Sequence, residues 1–278
     1  QQCRSPEHHG RPWTQWRQQP LPMSSAAGTR WTQGVVADRA TPDGLRSSED
    51  WQEGSMQNGL CFLYRRRRDP RTVQTSRTQR DQLVQTIQAL HHRGWCDGTG
   101  GNFSVVLQRQ PLQLLMAPSG VNKGQVHADQ LIEVDENGEV LTGEGHASAE
   151  TALHLQIVGA TKAGAVLHTH SVAGTVLSRQ YEEEGGITLE GWEMLKGLSG
   201  ITTHATSITI PVISNSQSMQ DLGHAIAPSL ESAPCGFLVA GHGLYGWGES
   251  LEISQRHIEI LEFLLNVHLT QMQISNQS

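Results

Sequence analysis

Hydrophobic periodicity separates a sparse leading segment from an ordered body. Residues 1–76 contain only eight Leu, Ile, Val or Phe residues, which is too little core material to offset the entropy of ordering a chain. Order is expected from Ser76, which opens a run that matches a capping box, and Leu83, Ile87 and Leu90 follow at helical spacing. We therefore expect residues 1–76 to be a disordered or non-domain segment and residues 77–278 to form one domain.

Strand and helix patterns interleave along that body. Alternating or β-branched runs predict strands, and apolar residues three or four apart predict helices. The predicted strands are 103–107, 112–117, 131–134, 165–168, 207–213, 236–240 and 244–247, and the predicted helices are 148–162, 192–196, 218–230 and 249–268. Several connections are too short for a helical crossover, which indicates an α/β domain with a mixed or mostly antiparallel sheet.

Charge and composition exclude several classes of function. The formal net charge is −7, and it divides into a basic segment 1–76 and a strongly acidic body. An acidic body is unsuited to general nucleic-acid binding, because affinity for phosphate backbones comes from positive charge. No apolar stretch is long enough to span a membrane. The four cysteines are far apart and the first residues lack a secretory pattern, so we expect a cytoplasmic protein.

The strongest chemical signal is a pair of histidines, His168 and His170, at the end of a predicted strand. Side chains at i and i+2 of a strand project from the same face, so both imidazoles can reach one ion. A third histidine, His242, lies between two glycines in a turn between strands. Three histidines with an open fourth position are typical of a catalytic zinc site, although a structural role for each histidine is the alternative.

Two glycine-rich segments have the composition of phosphate loops. Residues 98–104 read GTGGNFS and residues 117–123 read APSGVNK. Glycines allow close backbone approach, hydroxyls donate hydrogen bonds and a lysine adds charge. Neither segment is a Walker loop or a dinucleotide fingerprint, and either could equally be an ordinary turn.

Two carboxylates are candidates for proton transfer, since metal-assisted carbon chemistry needs a proton carrier. Glu150 stands at a predicted helix start shortly before the histidine pair, and Glu193 stands in the run Trp192 to Gly197. Both have apolar neighbours rather than a charge run. Either could instead be a capping or surface acid.

Five motifs in a fixed order carry a resemblance to a known family. Gly-Asn-x-Ser, Ala-Pro-Ser-Gly, Ser-Ala-Glu, His-Thr-His and Gly-His-Gly occur in the order found in the class II aldolase/adducin-head family. The match covers about residues 78–270. Within the family, the chain most resembles the members that dehydrate a methylthio-substituted 2-ketose 1-phosphate in methionine salvage.

The resemblance implies an α/β/α fold on a central antiparallel sheet and a homotetramer with sites near subunit interfaces. It implies one zinc ion per subunit on His168, His170 and His242. Zinc on the substrate's C2 and C3 oxygens would acidify the C3 hydrogen, and the C4 hydroxyl would then leave with the help of an acid. The resemblance gives Glu193 the acid/base role, while some relatives carry a cysteine in place of Glu150.

The phosphate group of such a substrate would be held by the two glycine-rich loops. The residues expected to hold it are Gly101, Asn102, Ser119 and Gly120, with Lys123 nearby. The partner expected for this chain is therefore a small sugar phosphate, not a nucleic acid or a membrane.

Two other functions remain open on the sequence. The same scaffold supports retro-aldol cleavage of sugar phosphates, for which Glu150 rather than Glu193 would be the carboxylate of choice. The other alternative is a non-catalytic adducin-type head, which is expected to lack the zinc ligands. The three retained histidines argue against that alternative.

Overall fold

The computed structural model describes residues 51–53, 63–65 and 70–275, with side chains from residue 78 onward. The chain divides into two units, residues 1–66 and 67–278. In the first unit, strands β1 (Trp51–Glu53) and β2 (Leu63–Arg65) form an antiparallel pair. The rest of the predicted non-domain segment up to residue 69 lies outside the described residues, and its character stays a prediction.

Nine strands of the second unit form one mixed sheet within the described part of the chain. They are β3 (Asn102–Arg109), β4 (Leu112–Met116), β5 (Ile132–Val134), β6 (Val140–Thr142), β7 (Ala165–Thr169), β8 (Gly186–Glu190), β9 (Ser207–Ile213), β10 (Gly236–Val239) and β11 (Gly243–Gly248). The spatial order is β6-β5-β4-β3-β7-β11-β10-β9-β8, which makes β7 the central strand. Of these neighbours, β9 and β10 run parallel and the others antiparallel. The prediction of a mostly antiparallel sheet is confirmed.

Helices cover both faces of the sheet. They are α1 (Pro70–His92), α2 (Thr151–Ala160), α3 (Val172–Gln180), α4 (Met219–Ser232) and α5 (Leu251–Ser275). Helices α1, α3 and α5 contribute to one buried core, and α2 and α4 contribute to the other. Consecutive residues of β10 alternate between these two cores: Phe237 faces α2 and α4, and Leu238 faces α5. The fold is therefore an α/β/α sandwich.

Two predicted helices differ from the observed ones. The first helix begins at Pro70 rather than at Ser76, so the predicted capping box is wrong; proline fits a first helical turn because its missing N–H has no intrahelical partner there. The predicted helix 192–196 is a short 3₁₀ helix, Glu193–Gly197.

Helix α3 and strands β6 and β8 were absent from the prediction. In α3 the β-branched Val172 and Val176 face solvent, which obscures the helical period. No helix of the described chain is long and apolar enough to cross a membrane.

Candidate active site

The candidate site lies at the end of the central strand, β7. Antiparallel pairing places the first residues of β3 and β11 beside this end, with Asn102 opposite His168. His170 follows two residues later and projects to the same side. Its Nε2 atom lies 2.7 Å from Nε2 of His168. The predicted i and i+2 geometry therefore brings both imidazoles to one point.

The turn between β10 and β11 brings His242 to the same point. Its Nε2 atom lies 3.4 Å from Nε2 of His168. Gly243 makes this approach possible, because a Cβ atom there would lie 2.1 Å from the Thr169 carbonyl oxygen. Thr175 of α3 donates a hydrogen bond to the His242 carbonyl oxygen. The glycine after His242 is thus required by the packing of β11 on β7.

The three histidines fit a metal ion. One ligand atom from each lies within 4.8 Å of the others. Two ligands on one tetrahedral zinc ion lie about 3.3 Å apart, close to the His168–His242 spacing. The Nδ1 atom of His168 donates to the Leu244 carbonyl oxygen, which leaves the Nε2 lone pair facing the site. Burial lowers the pKa values of His168 and His170, which favours the neutral imidazoles that metals bind.

Glu150 completes this cluster from the residue preceding α2. Its Oε1 atom lies 3.2 Å from Nε2 of His242 and its Oε2 atom 3.9 Å from Nε2 of His168. Asn102 donates a hydrogen bond from Nδ2 to Oε2 of Glu150. Burial alone would raise the pKa of Glu150, but the hydrogen bond with His242 lowers it and the pKa falls to about 2. A negatively charged carboxylate therefore lies beside the three imidazoles.

The two predicted phosphate loops are tied together by Lys123. This side chain is 1% exposed, and its Nζ donates to the carbonyl oxygens of Thr99 and Val121, one from each loop. Burial lowers the pKa of the Lys123 ammonium. Ser119 and Gly120 are exposed at the tip of the second loop. The predicted roles of these residues toward phosphate stay predictions.

In the first loop, Gly101 packs directly against the histidine strand. Its φ of +78° is left-handed, and a Cβ atom there would lie 2.8 Å from the His168 carbonyl oxygen. Only glycine meets both conditions without strain. The side chain of Asn102, next in sequence, is committed to Glu150. Close contact with the metal site therefore explains part of this glycine-rich pattern.

Glu193 does not join the cluster within its own chain. Its side chain is exposed, and its ion pairs are with Lys196 and with His204. The Lys196 hydrogen bond and charge lower the pKa of Glu193. Of the two carboxylates named from the sequence, the structure brings Glu150 alone to the three histidines.

Tyr245 was missed by the sequence analysis. It stands opposite His168 in the β7–β11 ladder, and the two rings stack with centroids 3.8 Å apart and planes 12° apart. The ring thereby restricts the orientation of His168. The available signal was a tyrosine within a run of small and apolar strand residues. Its contact with His168, however, depends on the register of β11 against β7.

Comparison with protein families and curated proteins identifies relatives. The family model described as Class II Aldolase and Adducin N-terminal domain matches residues 81–269. The methylthioribulose-1-phosphate dehydratase of Sorangium cellulosum (strain So ce56) is 42% identical over 193 residues, which are 68% of this chain and 90% of that protein. The protein of the same name from Serratia proteamaculans (strain 568) is 41% identical over 198 residues, which are 69% of this chain and 96% of that protein.

Solved structures share the fold. L-fuculose-1-phosphate aldolase from Thermus thermophilus superposes with a TM-score of 0.59 at 22% identity, over 72% of this chain and 98% of that one. L-fuculose 1-phosphate aldolase from Glaciozyma antarctica PI12 gives a TM-score of 0.58 at 18% identity, over 73% and 77% of the two chains. At these identities the likeness concerns the fold.

Proposed function

The chain belongs to the class II aldolase and adducin family, and we propose that it dehydrates 5-methylthioribulose 1-phosphate to 2,3-diketo-5-methylthiopentyl 1-phosphate in methionine salvage. Relatives with this activity in their names match it over nearly their whole length. The observation that carries the proposal is the convergence of three imidazoles and one carboxylate at the end of β7. A purely structural head has no need for that arrangement.

We assign zinc to the three histidines, one ion per subunit. When bound, zinc supplies a Lewis acid that stabilises the negative charge developing on the substrate's C2 and C3 oxygens. His168, His170 and His242 hold it, and the Leu244 carbonyl fixes the tautomer of His168. Metal dependence is typical of this family, and the nitrogen-only donor set favours zinc over magnesium or calcium.

Glu150 is proposed to remove the proton from C3. Its carboxylate lies beside the three imidazoles and keeps a fixed orientation through the Asn102 amide. A base must lie within hydrogen-bond reach of the proton that it takes, and Glu150 is the candidate carboxylate that lies beside the proposed zinc ligands of its own chain. Loss of the C4 hydroxyl then gives an enol, which becomes the 2,3-diketone when carbon 4 gains a proton. The net change is the loss of one water molecule.

Glu193 is proposed to give the proton to the leaving C4 hydroxyl, a role that requires its site to replace the Lys196 and His204 partners that lower its pKa in the single chain. Its exposed carboxylate contacts none of the three histidines of its own chain, so this role requires a site on a second subunit. A homotetramer with sites near its interfaces, as the family resemblance implies, would supply such an arrangement. We propose that each active site combines Glu150 of one subunit with Glu193 of another.

The phosphate of the substrate is proposed to bind at the two glycine-rich loops. Ser119 and Gly120 are exposed at the tip of one loop and are free to meet a ligand. Lys123 places a positive charge beneath both loops while tying them together. Gly101 and Asn102 line the other loop next to the metal site.

A cytoplasmic location agrees with Cys96 and Cys235, both buried and unpaired.

Retro-aldol cleavage is the second candidate function, because Glu150 lies at the histidine cluster as that chemistry would require. It would break the C3–C4 bond of the same substrate and release dihydroxyacetone phosphate and an aldehyde. Dehydration instead keeps all the carbons in one product that has lost water.

The test is to incubate the zinc-loaded full chain with 5-methylthioribulose 1-phosphate and to follow the products by mass spectrometry. A product lighter by one water supports dehydration. Dihydroxyacetone phosphate, detected with a coupled dehydrogenase, would instead establish the aldolase. The His168→Ala variant is the control, since it should form neither product.

A further inference from the structure

Glu262 is a buried acid on α5, outside the cluster described above. Its side chain is only 2% exposed. Burying a carboxyl group is unfavourable unless it is hydrogen-bonded. Here Thr169 donates a hydrogen bond from its hydroxyl to Oε1 of Glu262. Thr169 lies between His168 and His170 in the sequence.

The pleat of β7 explains why Thr169 reaches Glu262. Successive strand residues point to opposite faces of the sheet. His168 faces the α2 side, where it stacks on Tyr245, and Thr169 therefore faces the α5 side. The run His-Thr-His thus directs its two imidazoles into the site and its one hydroxyl toward the helix behind it.

Helix α3 connects the end of this histidine run to the third histidine. Ser171 is the N-cap of this helix, and its Oγ accepts a hydrogen bond from the Gly174 N–H. One turn into the helix, Thr175 donates to the carbonyl oxygen of His242. The position of α3 therefore affects His242, and the position of Ser171 affects the start of α3.

We propose that Glu262 is a positioning residue that holds His168 and His170 in the geometry for metal binding, through Thr169, which lies between them. The inference rests on the proposed function, in which these histidines bind zinc. Groups that orient metal ligands typically change metal affinity about 10- to 100-fold when they are removed. Glu262 acts one step further back, because it orients the backbone that carries the ligands.

Four variants of the full chain test this proposal. Glu262→Leu and Thr169→Val each remove the hydrogen bond between helix and strand. Glu262→Gln keeps an acceptor for Thr169. Ser254→Ala is the matched control: Ser254 also lies on α5 and is buried, but its hydroxyl donates to Ala165 at the opposite end of β7.

The measurements are zinc affinity by competition with a chromogenic chelator, and the visible absorption spectrum of the cobalt(II)-substituted protein. We expect Glu262→Leu and Thr169→Val to weaken zinc binding about 10- to 100-fold, with Glu262→Gln within about 3-fold of wild type. The cobalt spectrum should change in the first two variants only. A fifth protein that carries both Glu262→Leu and Thr169→Val should bind zinc no more weakly than the weaker-binding of the two single variants, because both changes remove the same hydrogen bond.

The proposal would be overturned if Thr169→Val and Glu262→Leu had the same zinc affinity and cobalt spectrum as Ser254→Ala. If Glu262→Leu does not fold, Thr169→Val decides alone, since its shape is almost unchanged. Metal affinity is measured without substrate, so the proposal is separable from the function: weakened zinc binding supports positioning even if the wild type forms no diketone. Normal binding in both variants, with an active wild type, would reject positioning and leave the function standing.

Discussion

Replacing Glu150 by Gln tests the proposed chemistry most directly. Glutamine keeps the shape of the side chain and an oxygen that can accept the hydrogen bond from Asn102. It loses the negative charge and the ability to take up a proton. The change therefore separates proton transfer from the packing at the start of α2.

The expected effect on turnover is large. A positioned acid or base contributes about 10²- to 10⁴-fold in rate, so kcat should fall by that factor. This corresponds to about 3–5 kcal/mol of transition-state stabilisation. Zinc affinity should fall much less, because the three imidazole nitrogens remain and the Leu244 carbonyl still fixes His168.

The assay is initial-rate diketone formation, with zinc per subunit measured by mass spectrometry on the same sample. Glu133→Gln is the matched control, since Glu133 is a partly buried carboxylate paired with Arg80 and away from the histidines. It should retain wild-type kcat. Near-full activity of Glu150→Gln with full zinc would refute the role of Glu150 as the base.

Four further outcomes are expected. Glu193→Gln should lower kcat about 10²-fold or more at normal zinc content, and mixing it with inactive His168→Ala subunits should restore part of the activity if Glu193 acts on a second subunit. His242→Ala should lose zinc and turnover but keep the circular dichroism of the sheet. Deleting residues 1–66 should leave kcat and Tm nearly unchanged, which a drop in either would contradict. Burial raises the pKa of Glu262 from 4.5 to about 7. The protonated carboxyl group therefore contributes its full stability to the fold below pH 4.5, and this contribution is lost as the pH rises through 7. Over this range the unfolding free energy of the wild type, measured by urea titration, should fall by up to about 3 kcal/mol relative to Glu262→Gln.

Local patterns were sufficient to predict most of the sheet and the histidine cluster. The two-residue spacing of His168 and His170 determines that both face one side, whatever the rest of the fold does. The glycines around His242 indicate a turn in which backbone atoms approach closely. Strand β9 was predicted with its observed bounds because its β-branched run is bounded by polar loops.

Contacts between distant segments could not be predicted in this way. The stacking of Tyr245 on His168 depends on the register of β11 against β7, which no local pattern specifies. The motif around Glu193 predicts an acid/base role, but it does not say which subunit's site the residue would serve. Lys123 was predicted to lie near a phosphate, which stays a prediction, but its hydrogen bonds to one carbonyl oxygen of each loop depend on contacts between distant segments.

Glu262 shows what a helical pattern could reveal about a site on a strand. In α5 it lies in a buried stripe with Ile258, Leu261 and Leu265, at spacings of one, three and four residues. An acid in such a stripe must find hydrogen-bond donors, because an isolated buried carboxylate is strongly disfavoured. When alternate residues of a strand are metal ligands, the residues between them point to the opposite face of the sheet. Hydroxyl side chains on that face are suitable hydrogen-bond donors. A buried acid on a helix and a His-Thr-His run at the end of a strand are therefore candidate partners, although 93 residues separate Thr169 from Glu262.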